Sequence, residues 1–442
     1  MSGAILTLAI LGLSACCLFV WARYDSSHRL ATTYAWDLRT FRSNWKKVGL
    51  ALGAFLYISA PVGFSWVGYK GLHLPTQMVP GLPLTNLALS LLNFAGIFAI
   101  GTLALNLLTG YAGQVSLGHA TFIGAGAYAA GYFGENVKVG GRHLPFLVWL
   151  AAAGVIGALI ATAVGPFALR LRGDYLAVIT VGMLVFAEHI FNAWADITGG
   201  TPGKSNLPQP SLTVWPGKTI TFTVPQTTES DIFGFAYTRD QAFFWLIWAF
   251  VALSAIVAYN IVRTRSGRAM MAVRDRDLSA EAIGVDISST KIKAFALCGA
   301  MAGVSGALYG AQIQSVTPEF FDLKLSIQYV AMMVVGGSGT ILGSILGAVA
   351  IIGLDRLTDR FKWIFTLPGV RNVLFFVSTS SNEEVTTTGL RGFIDRMQIE
   401  LPNFVRLIYG LLIVLSLRYF PNGIAALWER MKRTVERWPF AR

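Results

Sequence analysis

RTRSGRAMMAVRDRDLSAEAIGVDISSTKIK, running from Arg263 to Lys293, is the stretch that decides the fold. Long apolar runs flank it on both sides, so it reads as a loop between two membrane spans. A basic loop in that setting belongs on the cytosolic side. Within it, Ser279 is placed to cap a short helix over Ala280, Glu281, Ala282 and Ile283, which Gly284 would end. Ser288 or Ser289 is placed to cap the following span. An ordered helix in such a loop can seat in a groove of a second protein and transmit a push. The plainer reading is an ordinary positive-inside loop, which composition alone favours.

The rest of the chain agrees with a membrane class. Of its 442 residues, 54% are hydrophobic and 13% charged, with a mean hydropathy of +0.57. A soluble domain carries about 25% charged residues. The net charge of +12 resides mainly in loops between apolar runs, which is a positive-inside pattern and not a nucleic-acid groove. Cys16, Cys17 and Cys298 fall inside apolar runs without a CxxC or Cys/His cluster, so they read as packing residues and no metal site is expected. Leu13-Ser14-Ala15-Cys16 looks like a lipoprotein cleavage box, yet no Lys or Arg precedes its apolar stretch and Arg23 follows it. A signal peptide has the reverse charge order, so residues 3–22 read as a first span with an outside N-terminus.

The expected fold is all-α, a polytopic membrane bundle of about eleven spans. They fall at 3–22, 47–69, 84–109, 113–134, 144–169, 176–196, 241–262, 293–313, 325–336, 340–354 and 404–420. Residues 1–83 form an N-terminal extension with two spans, 84–425 the main body, and 426–442 a basic tail. Gly336-Gly337-Ser338-Gly339 breaks the pair 325–336 and 340–354 into halves too short to span upright, as in a re-entrant or kinked hairpin. The loop after the first span, loop 263–293 and the tail are all net positive and fall on one side under this count, making the C-terminus cytosolic. Loops 197–240 and 356–403 fall outside; each is either a contact surface for an external partner or simply solvated. Thr219 to Val224 alternates like a strand.

Two patterns concern the membrane interior. Gly299, Gly303, Gly306 and Gly310, then Gly343 and Gly347, and Gly118, Gly124, Gly126 and Gly131 are small residues at spacings that let helix backbones approach closely. Polar residues are costlier there and so more telling. Gln114, Ser116, His119 and Thr121 cluster at the start of the fourth span, and Glu188, His189 and Asn192 in the sixth. Glu188 and His189 either line a translocation path or sit paired and solvated near the outer interface. The chain contains no HExxH, GxSxG or Walker A sequence, so ATP hydrolysis is expected on a partner.

Several blocks together resemble the permease subunits of branched-chain amino acid (Liv-type) ABC importers, the larger of the two membrane subunits. They are TGYAGQVSLGHATF (Thr109–Phe122), LRGDYLA (Leu171–Ala177) followed by DITGGTPG (Asp196–Gly203), and Gly267-Arg268-Ala269 through Glu281–Val285 to Lys293-Ala294-Phe295. Val335–Thr340 and the closing Pro421-Asn422-Gly423-Ile424 complete the set. The resemblance covers 84–354 and 404–425 in order, which makes 84–425 the permease domain. It implies a heterodimer with a homologous second permease, two cytosolic ATPase subunits carrying ATP and Mg, and a periplasmic binding protein, all at a bacterial inner membrane. It implies no cofactor and no catalytic residue on this chain. Loop 263–293 would be the coupling element, with Glu281, Ala282 and Gly284 at its centre and Arg274 and Asp277 flanking it. Family members often carry a Glu where this chain has Val185, whereas here the acid is Glu188, one turn later. The extension 1–83 and the insertion 356–403 also depart from the family pattern. Relatives handle urea, short amides and other amino acids as well. Two further classes compete: an ion-coupled carrier using Glu188, and a membrane enzyme built on Glu188 and His189.

Overall fold

The computed structural model describes residues 84–139, 142–170, 174–205, 207–215, 218–221, 230–232, 235–237, 239–366 and 423–425. The spans expected at 3–22, 47–69 and 404–420, the tail, and loop residues 367–403 lie outside the described residues. The helices are α1 (Leu84–Leu105), α2 (His119–Asn136), α3 (Phe146–Arg170), α4 (Asp174–Ala193), α5 (Arg239–Arg263), α6 (Arg265–Asp275), α7 (Asp277–Ala282), α8 (Ile287–Ile313), α9 (Leu323–Gly336) and α10 (Ile341–Thr366). A π-helical turn, Asn106–Tyr111, prolongs α1. Among the described residues, five stretches are long and apolar enough to cross a membrane: Leu89–Tyr111, Phe146–Phe167, Tyr175–Ala193, Arg239–Arg263 and Ile287–Ile313. Helices satisfy their own backbone groups, which is what lets such a bundle sit in lipid. Short antiparallel pairs lie outside the bundle, two of them within loop 197–240. Lys204–Ser205 pairs with Ser315–Val316 and so ties the α4–α5 connection to the end of α8.

α8 packs on α1, α2 and α3, and its glycines explain how closely it approaches α2 and α3. A methyl group built on Gly299 would strike the backbone of Gly157, and one on Gly303 the backbone of Ala153. One on Gly306 would strike the carbonyl of Ile123 in α2. The helices therefore touch backbone to backbone, as the small-residue spacing leads one to expect. Gly336, Gly343 and Gly347 do the same where α9 crosses α10. α2 is buried at every residue from His119 to Gly131, which its small-residue sequence permits.

Four local expectations need correction. The fourth span begins at His119, not 113, because residues 112–118 form a non-helical connector. In it Gly113 takes φ +69°, and the Leu117 N–H donates to Thr180 Oγ1 at 3.0 Å. The Leu117 donor, which a helix would satisfy internally, is thus met by α4, while Gly113 and Gln114 donate back to the Thr109 and Leu108 carbonyls. Second, α10 continues to Thr366, so residues 356–366 prolong the helix instead of opening a loop, while its apolar part, Ile341–Leu354, stays shorter than a span as expected. Third, Arg265–Asp275 is helical, capped by Thr264, where a loop was expected. Fourth, Ser279 lies inside α7, which begins at Asp277, and Asp286, not Ser288 or Ser289, caps α8 by accepting from Ser289 N at 3.1 Å. A carboxylate at the N-cap accepts from the same backbone donors as a serine hydroxyl and also complements the helix dipole.

Candidate functional site

The loop folds into an elbow of two short helices rooted in the bundle. Met270 and Val273 of α6 and Ala280 of α7 are buried and supply the apolar anchors. Gly284, at φ +85°, ends α7, and Val285 N donates back to Ala280 O at 3.0 Å. The left-handed residue after the last turn is the position glycine takes at helix ends.

Two charged contacts fasten the elbow. The Arg274 guanidinium donates through Nη1 to the carbonyl of Gly110 at 2.8 Å, and it lies against the Asp275 carboxylate at 3.1 Å. Lys291 Nζ pairs with Asp277 Oδ2 at 3.1 Å. The lysine is 4% exposed and the aspartate 22%, so this ion pair is mostly out of water. Losing either partner would leave a poorly solvated charge, which costs far more than the loss of a surface pair. Lys291, read from sequence only as one of several loop charges, is thus a structural tie. Arg274, Asp277, Lys291, Gly113 and Gln114 line one polar cavity of about 230 Å³.

The outer surface of the elbow is apolar as well as charged. Leu278 is 70% exposed and Ile283 76%, flanking exposed Glu281, Ala282 and Gly284. Leu278 did not stand out in the sequence, and Ile283 did so only as part of the expected short helix, because isolated aliphatic residues near a span carry no periodic signal. Only the folded elbow shows that they point away from the core.

The residues singled out for a translocation path separate into four groups. Gln114 joins Arg274 and Asp277 at the polar cavity. Ser116 and His119 are wholly buried. His119 Nε2 meets the Gly101 carbonyl at 2.9 Å, and its ring lies edge-on to Tyr329 at 5.1 Å. Its Nδ1 lies 3.7 Å from the sulfur of Cys298, in keeping with that cysteine's packing position. Thr121 borders a second, apolar groove of about 980 Å³ between α2, α3 and α4, where its hydroxyl and that of Tyr128 find no hydrogen-bond partner among the described residues. Glu188, His189 and Asn192 stand apart, on the less buried surface of α4, with Asn192 donating to the Glu188 carbonyl at 3.0 Å. At about 100° per residue, Ala177, Val181, Val185, Glu188 and Asn192 form one stripe. It is distinct from the buried stripe of Leu176, Thr180, Leu184, Ala187 and Phe191. Val185 and Glu188 therefore share a face. Among the described residues, no group of three His, Cys, Asp or Glu side chains is placed to hold a metal ion.

Comparison with known proteins agrees with this architecture. The family model for the permease component of branched-chain amino acid transport systems matches residues 87–417. The high-affinity branched-chain amino acid permease protein LivM of Salmonella typhimurium is 32% identical over 269 residues, 60% of this chain and 62% of that protein. LivM of Escherichia coli K12 is 32% identical over 272 residues, with the same coverage of each chain. The chain thus spans about three fifths of the length of these curated relatives. The autoinducer 2 import permease LsrC of Klebsiella pneumoniae is 32% identical over 121 residues, 26% of this chain and 35% of its own. No solved structure matches. With five apolar helices of membrane-spanning length among the described residues and a family match over most of its length, the chain belongs to the membrane permease components of the branched-chain amino acid transport family.

Proposed function

We propose that this chain is a permease subunit of an ATP-driven importer of branched-chain, hydrophobic amino acids in a bacterial inner membrane. On this reading the α6–α7 elbow is cytosolic and docks a separate ATPase subunit. A homologous second permease completes the pore, and a periplasmic binding protein delivers the cargo. ATP and Mg are held by the ATPases. The observation that carries the reading is the build of the elbow. It presents Leu278, Glu281 and Ile283 outward while Arg274 and Lys291 fasten it to the bundle. A surface for a partner, rooted by polar ties to the bundle, is what a force-transmitting element requires. Closure of the ATPase dimer would displace α7, and the ties would pass that displacement to α1 and α8. The cargo path is assigned to the α4 stripe containing Val185, Glu188 and Asn192, where polar groups are available away from this chain's own core.

Reconstitution of the chain with its second permease, ATPases and binding protein tests the reading. Leu278→Ser combined with Ile283→Ser should cut ATPase association and leucine uptake at least tenfold while the permease stays in the membrane. Uptake should also cease with an ATPase unable to hydrolyse ATP. Uptake that persists with such an ATPase but collapses with the ion gradient would instead establish a secondary carrier.

A further inference from the structure

The π-helical turn at the end of α1 is the place where three parts of the molecule meet. We propose that Asn106 is a positioning residue for transport, and that the turn Asn106–Tyr111 is the joint passing motion of the elbow to the α9–α10 hairpin. The proposal rests on the coupling role assigned above.

Asn106 is 1% exposed within an apolar helix, a costly place for a carboxamide. Both ends of that group are used. Its Oδ1 accepts from Gly339 N at 2.7 Å, and its Nδ2 donates to the Thr340 carbonyl at 2.9 Å. One side chain thus clamps the α9–α10 turn, more than 230 residues away in sequence. The turn it grips is specialised: Gly337 and Gly339 take φ of +115° and +76°, a region that side chains disfavour. Gly110, at the other end of the π turn, leaves no room for a methyl group against Gly339 N and the Asn106 carboxamide. Its carbonyl accepts the Arg274 bond. Arg274 in turn lies over Gly113, where a built Cβ would come 2.8 Å from the arginine Cγ.

The chain of contacts is therefore continuous from α6 through Arg274, Gly110 and Asn106 to Gly339 and Thr340. A π turn holds one more residue per turn than the α-helix requires and is concentrated at functional sites. If the elbow draws on the Gly110 carbonyl, the turn can slip into α register. Such a slip rotates a flanking side chain by about 100°. For Asn106 that rotation breaks both clamp bonds and frees the hairpin. A plain structural role would need no link between the clamp and the elbow.

The test uses the reconstituted complex with its binding protein and measures leucine uptake per ATP hydrolysed. Asn106→Leu keeps the shape and removes both bonds. ATPase association and hydrolysis should stay within twofold of the unmodified complex, while uptake per ATP falls at least tenfold. Arg274→Met, which leaves the buried clamp intact, should likewise lower uptake per ATP hydrolysed at least tenfold, and decides the matter if Asn106→Leu does not assemble. A spin-label pair on Ser279→Cys and Ser338→Cys should show an ATP-dependent distance change that both variants abolish. Unchanged uptake per ATP in either assembled variant overturns the proposal, as does a parallel loss of hydrolysis and uptake. Failure of the docking reading is seen separately, as full ATPase association in the Leu278→Ser, Ile283→Ser variant.

Discussion

α8 and the α6–α7 elbow adjoin in sequence yet are held by opposite means. α8 is held by what its residues lack: at Gly299, Gly303 and Gly306 bare backbone meets bare backbone along two neighbouring helices. The elbow, beyond the apolar anchors Met270, Val273 and Ala280, is held by what a few residues add, a guanidinium on a carbonyl and a lysine on an aspartate. A contact made of many small van der Waals terms is rigid and has no single switch. A contact made of two polar ties can be shifted by a partner that competes for them. On the proposed coupling role, the difference separates a scaffold from a transmitting part.

The largest expected effect lies in the scaffold. Gly303→Leu would drive a side chain into α3, where even a Cβ would sit 3.3 Å from the Gly154 Cα and closer still to the Ala153 backbone. Overpacking against backbone has no flexible neighbour to give way, so a loss above about 3 kcal/mol is expected. It is read as disappearance of monodisperse protein in detergent. Survival of Gly303→Leu with normal stability would break the comparison at its root.

A smaller effect is expected at the elbow's ion pair. Lys291→Met leaves the partly buried Asp277 carboxylate without its partner and should cost about 1–3 kcal/mol in thermal unfolding. Adding Asp277→Leu should recover most of that loss, because the penalty belongs to the unpaired charge and not to a missing attraction. No recovery in the double variant would mean that the pair does more than neutralise a buried lysine.

The smallest effect concerns the end of α7. Gly284→Ala meets no neighbouring atom but must hold a left-handed conformation. The cost is about 1 kcal/mol and local. Amide exchange at Val285, whose N–H closes the cap on Ala280, should quicken about fivefold while exchange in α8 is unchanged. Equal acceleration in α8 would show that the elbow and the scaffold open together.

Much of the scaffold was legible because bilayer-length apolar runs and glycine spacing are local signals. The runs around 84–109, 144–169, 176–196, 241–262 and 293–313 all coincide with spanning helices. Where a glycine-broken connector imitated a span, at 112–118, the eye followed hydropathy across a break that tertiary hydrogen bonds sustain. α6 was missed for the converse reason: its arginines mask a helix that only its buried face at Met270 and Val273 reveals. At the candidate site, Arg274 and Asp277 were visible as charges, but their partners Gly110 and Lys291 were not. Asn106 was passed over although a polar residue in an expected span is costly, since a lone asparagine matches no motif and its partners Gly339 and Thr340 are distant in sequence.

By itself the sequence determined the membrane class, the order of the main spans, the glycine faces and the family, because these rest on composition and short-range spacing. The tertiary structure alone decided which polar residues share a site. It put Gln114 with the elbow, His119 in the core and Glu188 on the less buried surface of α4. It also made Asn106 a clamp. Such groupings depend on contacts between residues far apart in the chain, and nothing local in the sequence encodes the distance between them.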